Sequence, residues 1–271
     1  MTKSSFFYLS VLLVSFLFSP TAFAASTKSE VLALKEEVAR LREGQESIQN
    51  DLAEIRKLLE EGARPAPSAP QAPTFQEREV SIRGASVKGD PEAALTLIEY
   101  SDYQCPFCSR HARQTMPQLL ENYIEQGKVK FVMREFPIAG LHPRAPAAAQ
   151  AALCARDQGR YWEMHDILFA NQRQMSDENL QDYAEEIGLE ASAFSACLES
   201  DKYMAQVEAD IEEGKSMGVR GTPSFVLGYT DTENPDNVKA VRFVRGAQSY
   251  DNFVRVIEEL LKDEPEGDSA P

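Results

Sequence analysis

Basic residues are in short supply. Lys and Arg number 28 against 43 Asp and Glu, a formal net charge of −15. A nucleic-acid surface needs a basic stripe to neutralise phosphates, and none is present, so that class of partner is excluded. The acidic surplus reads as a solubility feature. Histidine is scarcer: His111, His142 and His165 are the only three, and they stand at no metal-ligand spacing. They are read as structural, with His111 near enough to the Cys-x-x-Cys helix to modulate a thiolate. Cysteine is limited to Cys105, Cys108, Cys154 and Cys197, and only the first two form a Cys-x-x-Cys pair. A structural zinc site would need two more soft ligands at compact spacing. No metal and no cofactor is therefore expected.

What is present begins at the N-terminus. Lys3, the apolar run Phe6 to Phe18, Pro20 and the small-x-small motif Ala22-Phe23-Ala24 make a signal peptide over 1–24, cleaved after Ala24. The alternative, an uncleaved anchor, suits the run less well because it is short for a bilayer span. No Cys stands at the cleavage site to carry a lipid. Export points to a periplasm, with the cell surface or envelope as the variant, and in that setting disulfides persist.

Residues 25–61 carry a heptad pattern. Val31, Val38, Gln45, Leu52 and Leu59 fall at a, and Leu34, Leu41, Ile48 and Ile55 at d. In a parallel coiled coil the facing g and e residues are Glu30 with Lys35, Glu37 with Arg42, and Asp51 with Arg56, each pair opposite in sign. Val at a with Leu at d favours dimers, whereas Leu at a with Ile at d favours higher states, so a homo-oligomer is expected through residues 30–61, a trimer or a dimer. The alternative is a single amphipathic helix, which usually shows a wider apolar face. Residues 62–76, rich in Pro and Ala, form an extended, semi-rigid linker. A domain follows over 77–262, and 263–271 is a disordered tail.

The domain reads as α/β. Val80-Ser81-Ile82 is a short strand and Leu95 to Tyr100 a buried one. Pro106 to Gln126 is a helix that Pro117 should kink and Gly127 caps, and Val129 to Pro137 is the next strand. Strand, helix and strand make a βαβ unit. A helical insertion occupies about 143–217, with breaks near Gly159, Ser176, Gly188 and Ser200. Ser224 to Tyr229 and Val238 to Arg245 form a hairpin, and Tyr250 to Leu261 closes the domain as a helix.

Cys105-Pro106-Phe107-Cys108 sits between a strand and a helix, the context of a redox pair rather than half a zinc site. At a helix start the unpaired N–H groups and the helix dipole favour a thiolate at the first cysteine. Cys105 is expected to be an exposed nucleophile and Cys108 the resolving thiol one turn further in. Glu99, on the preceding strand, is a candidate proton acceptor for Cys108; the alternative is an ordinary strand-edge carboxylate. Cys154 and Cys197, an even remainder in an oxidising compartment, are read as a structural disulfide, with two separate buried thiols as the alternative. Thr222-Pro223 before a strand admits a cis bond that leaves the neighbouring backbone free to pair with a client, or a trans proline at a strand start.

Three segments carry a family resemblance: Glu99-Tyr100-Ser101-Asp102-Tyr103-Gln104-Cys105-Pro106-Phe107-Cys108, Gly159-x-Tyr161-Trp162-x-Met164-His165-Asp166, and Gly218-Val219-x-Gly221-Thr222-Pro223-Ser224-Phe225. Together they cover roughly Val80 to Leu261 and resemble the DsbA-like thioredoxin-fold thiol:disulfide oxidoreductases. The stalk and linker make the layout most similar to the oligomeric ScsC type and to DsbG-like proteins. The resemblance implies a thioredoxin core with a helical insertion and Cys105 and Cys108 as the exchanging pair. It also implies a proton-accepting Glu99, Thr222 and cis-Pro223 facing the sulfurs, and Pro106, Phe107, Thr222 and Pro223 touching substrate. The implied partners are exported cysteine-containing clients and a membrane redox partner. Phe107 stands where DsbA itself has His, and Thr222 where it has Val. These differences favour a disulfide isomerase or reductase over a strong dithiol oxidase. A metal-handling or holdase surface protein on the same fold is the non-enzymatic alternative.

Overall fold

The computed structural model describes residues 20–62 and 75–263, with side chains for 31–57 and 75–263. Most of the expected signal peptide and linker, and nearly all of the tail, lie outside the described residues. The chain divides into two compact units, 1–71 and 72–271. In the first, helix α1 (Pro20–Gly62) is unbroken. Its interior is dominated by Glu, Leu, Ala, Lys and Arg, all good helix formers, and Gly44 is its only interior glycine. Val31, Leu34, Val38, Leu41, Ile48, Leu52 and Ile55 are all exposed along it, so the heptad seam is unburied within this unit. Among the described residues no helix is long and apolar enough to cross a membrane.

The second unit is built on a six-stranded sheet in the order β1-β6-β5-β3-β4-β2. The strands are β1 (Arg78–Ser81), β2 (Ser86–Lys88), β3 (Leu95–Ser101), β4 (Val129–Glu135), β5 (Ser224–Thr230) and β6 (Asn237–Arg245). Strands β3 and β4 are parallel, and every other pairing is antiparallel. Between β3 and β4 runs a helical stretch: α2 (Pro106–Arg110), a π-helical turn His111–Thr115, α3 (Met116–Leu119) and a second π-helical turn Leu120–Ile124. Pro117 lies in the first turn of α3, just after the first π turn, so a change of hydrogen-bond register accompanies its missing N–H. The insertion supplies α4 (Ala145–Arg156), α5 (Tyr161–Ala170), α6 (Asp177–Glu186), α7 (Ala191–Glu199) and α8 (Met204–Ser216), and α9 (Tyr250–Lys262) closes the chain.

Strand parity sets what meets what. Every residue of β3 is buried, and successive side chains point to opposite faces. Leu95 and Leu97 join the core formed with α4, α5 and α9 through Leu153, Leu168, Phe253 and Ile257. Ile98 and Tyr100 enter the core on the other face with Val132, Val226 and Met217. Glu99 and Ser101 share the parity of Leu97, so two polar groups point into the face that also buries Cys108. On the opposite face Arg134 is buried against Asp210 at 2.9 Å and Glu213 at 3.2 Å, tying β4 to α8. The register of β5 and β6 shifts between Leu227 and Gly228. A Cβ on Gly228 would lie 2.3 Å from the Lys239 carbonyl oxygen, so only glycine fits that bulge.

Candidate active site

The Cys-x-x-Cys turn is held from two sides. Cys105 is the N-cap of α2, with Pro106 in the first turn, where a proline costs no hydrogen bond. Asp102 Oδ1 accepts from the Gln104 N–H at 2.8 Å, while Oδ2 accepts from the Ile138 N–H and pairs with His142 Nδ1, each at 2.8 Å. Gln104 Oε1 accepts from the Arg144 N–H at 2.7 Å. Gln172, just beyond α5, donates from Nε2 to the carbonyls of Tyr103 and Cys105 at 2.7 and 2.8 Å. The turn is thus clamped between the β4–α4 connection and the insertion.

Both thiols are free. Cys108 is wholly buried, and Cys105, expected to be exposed, is only 4% accessible. The reason is the loop before β5: the Thr222–Pro223 bond is cis, and the Cys105 thiol donates to the Thr222 carbonyl at 3.4 Å. Phe107, by contrast, stands 54% exposed, with the Arg110 guanidinium 5.1 Å from its ring centre.

The two sulfurs are driven apart in acidity. A hydrogen bond from the Cys108 thiol lowers Cys105 most. Burial opposes this, and the Thr222 hydroxyl and the N–H groups of Cys108 and Phe107 assist, bringing Cys105 down to about 6. Thr222 Oγ1 is buried with no partner while Cys105 is a thiol, so it is available to the thiolate. Cys108 moves the other way. Burial raises it well above the usual thiol range, and its hydrogen bond to Cys105 and the nearby charges of Glu99 and Cys105 add to this; the Ser101 hydroxyl opposes it.

Beneath the thiols, Glu99 accepts from the Ser101 hydroxyl at 2.7 Å. Burial lifts Glu99 to about 8, partly offset by Ser101, with the Cys105 charge adding to the rise. It is therefore mostly protonated near neutral pH. His111 is 1% exposed, with Nε2 3.6 Å from Glu99 Oε2. Farther along, Glu135 at the end of β4 accepts from the Tyr161 hydroxyl at 2.6 Å and the Tyr103 hydroxyl at 3.5 Å, and burial lifts it to about 8.

Cys105, Cys108, Glu99, Thr222, Pro106, Phe107 and Pro223 thus lie on the turn, the strand beneath it and the loop beside it. Cys154 and Cys197 are elsewhere, joined as a disulfide between α4 and α7. Sequence reasoning missed Ser101, Glu135 and Gln172. For Ser101 a signal existed, because it repeats the parity of Glu99 on an otherwise apolar strand face. For Glu135 and Gln172 the contacts are made across distant segments, and no local pattern marks them.

Comparison with known proteins agrees with this build. The profile of a family described as Thioredoxin matches residues 83–258. The Na(+)/H(+) antiporter NhaA 3 of Salinispora tropica is 34% identical over 155 residues, covering 57% of this chain and 23% of the antiporter. The chain thus spans less than a quarter of the curated relatives it matches. The crystal structure of Wolbachia pipientis alpha-DsbA1 superposes with a TM-score of 0.58 at 25% identity, covering 67% of this chain and 93% of the other. A Proteus mirabilis ScsC linker-deletion mutant superposes at 0.50 and 20% identity, covering 66% and 75%. With its buried strand, Cys-x-x-Cys helix and helical insertion, the chain belongs to the thioredoxin family, in the DsbA-like build of thiol-disulfide exchange proteins.

Proposed function

We propose that this chain is an exported thiol:disulfide interchange protein, acting in the periplasm as a disulfide isomerase or reductase on cysteine-containing clients. The observation that carries the reading is the opposed acidity of the two sulfurs, Cys105 lowered and Cys108 raised. The Cys105 thiolate attacks a client disulfide; the S–S bond breaks, its electron pair leaves on one client sulfur as a thiolate, and a mixed disulfide forms. A client thiolate can then attack and exchange the bond within the client, which is isomerisation. Alternatively Cys108 gives its proton to the ionised fraction of Glu99, which grows as pH rises toward 8, and attacks Cys105, releasing reduced client and leaving Cys105–Cys108 oxidised. Thr222, Pro223, Pro106 and Phe107 surround the thiol as the surface that meets the client.

The side chain of Phe107, standing where DsbA itself has His, offers the Cys105 thiolate no polar stabilisation, which favours the reducing direction. A membrane redox partner keeps the pair reduced. The signal peptide 1–24 is removed, and the stalk 25–61 joins two or three copies through the exposed seam of α1. Residues 62–76 link the stalk to the catalytic domain 77–262. Several sites on one stalk raise the effective concentration of thiolate around a single misfolded client. The second reading, a dithiol oxidase, is favoured by the fact that Cys105 is lowered at all, since a stabilised thiolate makes the disulfide more oxidising.

Refolding of scrambled ribonuclease separates the two, using the chain from Ala25 and a version from Thr74. Restored ribonuclease activity that needs the stalk supports isomerisation. Rapid oxidation of reduced ribonuclease, without rescue of the scrambled form by either version, overturns it.

A further inference from the structure

Among the described residues, His111 has both of its polar side-chain atoms buried without a hydrogen-bond partner. His111 is on the first π turn after α2, one helical turn beyond Cys108, and its ring lies among aromatics. The Phe225 ring centre is 4.5 Å away and that of Phe253 5.3 Å. The contacts with that cage are ones an apolar ring also makes, whereas both imidazole nitrogens are buried with no hydrogen-bond partner. The one thing histidine adds is therefore its nitrogens, and Nε2 is 3.6 Å from Oε2 of Glu99. The other Glu99 oxygen accepts from Ser101, whose hydroxyl also faces Cys108. Cys108, Ser101, Glu99 and His111 form a continuous buried series.

We infer that His111 is a positioning residue for thiol exchange, its Nε2–H placed to close onto the Glu99 carboxylate when that group ionises, so that Glu99 can take the Cys108 proton during resolution. The inference rests on the exchange chemistry proposed above. In the step, the Cys108 S–H bond breaks and its proton passes to the Glu99 carboxylate. The Cys108 sulfur then bonds to Cys105 as the Cys105–client S–S bond breaks, and that electron pair leaves on the client sulfur. His111 gains and loses no proton overall; its Nε2–H closes onto Oε2 when Glu99 is ionised. The groups facing the pair are Ser101, Tyr103, Cys105 and Cys108 around Glu99, with Phe225, Phe253 and the more distant His165 around the imidazole. Burial lowers His111 to about 3, so the ring is neutral whenever Glu99 titrates, and it acts as a donor rather than a counter-charge.

The test follows resolution in the chain from Ala25. Reduced protein is mixed with glutathione disulfide, and decay of the Cys105–glutathione adduct is read by rapid quench and mass spectrometry between pH 5 and 9. His111→Phe should move the midpoint of resolution upward by about one pH unit and slow it about tenfold near neutrality, because an unpaired carboxylate is harder to form. His111→Gln, whose amide can donate, should recover most of the loss. The alkylation midpoint of Cys105 should stay in place in both. Unchanged resolution profiles overturn the inference, as does an equal loss in both variants accompanied by a moved Cys105 midpoint. If His111→Phe fails to fold, ¹⁵N chemical shifts of the His111 ring in the unmodified protein decide. A shift tracking a titration that Glu99→Gln abolishes supports the pairing, and pH-independent shifts overturn it. Absence of any glutathione adduct in the unmodified chain would instead contradict the exchange reading, leaving the ring-nitrogen measurement to judge the pair.

Discussion

Cys105 and Glu99 are perturbed in opposite directions by the same low-dielectric pocket, and hydrogen bonding makes the difference. Cys105 has donors aimed at its anion, whereas burial dominates at Glu99. Iodoacetamide should alkylate Cys105 with a midpoint near pH 6 and a rate falling about tenfold per unit below it. Thr222→Val removes one donor to the thiolate while keeping the shape, so the midpoint should rise, slowing alkylation at pH 6 and leaving it nearly unchanged at pH 8; an unmoved midpoint would remove Thr222 from the account. At Glu135 burial outweighs the hydrogen bonds from Tyr161 and Tyr103. Its folded value near 8 exceeds the unfolded value of 4.5, so the folded state holds the extra proton and this contribution to stability declines as pH rises from about 4.5 to 8. Denaturant titrations of Glu135→Gln should show a flatter pH dependence across that window, with a difference on the order of a few kcal/mol between its ends. The Cys-x-x-Cys pair at a helix start was legible because its spacing is local. The accessibility of Cys105 was not, because a loop more than a hundred positions away covers it.

Strands β3, β4, β5 and β6 announce themselves as apolar runs bounded by turn residues, and the helix breaks near Gly159 and Gly188 fall where glycine takes a positive φ. Strand β2 stayed hidden because it has three residues and pairs only with β4, too short for any periodicity to register. The π turns around Pro117 were equally invisible, since a register change in a helix leaves the apolar spacing nearly intact. The insertion is a stack of short helices, and α4 and α7 are joined through Cys154 and Cys197, 43 positions apart. Closing a loop of that length should contribute roughly 2–4 kcal/mol, mainly by restricting the unfolded chain. The Cys154→Ala, Cys197→Ala double variant should lose about that much in urea denaturation while Cys105 keeps its alkylation midpoint. A shifted midpoint would mean that the insertion tunes the thiolate directly.

The two units divide the labour proposed for the protein. The second unit contains both cysteines of the proposed exchanging pair, and α1 presents an exposed seam from Val31 to Ile55 that a second or third copy would bury. Light scattering should give a dimeric or trimeric mass for the chain from Ala25 and a monomeric mass from Thr74; equal monomeric masses would refute the coiled coil while leaving the thiol chemistry standing. That chemistry is the central claim, and trapping tests it most directly. The chain carrying Cys108→Ser is incubated with scrambled ribonuclease, quenched with acid and digested for mass spectrometry. A client peptide disulfide-linked to Cys105 should accumulate, and should vanish when Cys105→Ser is substituted instead. No adduct at Cys105, or an adduct that persists without it, would contradict the account.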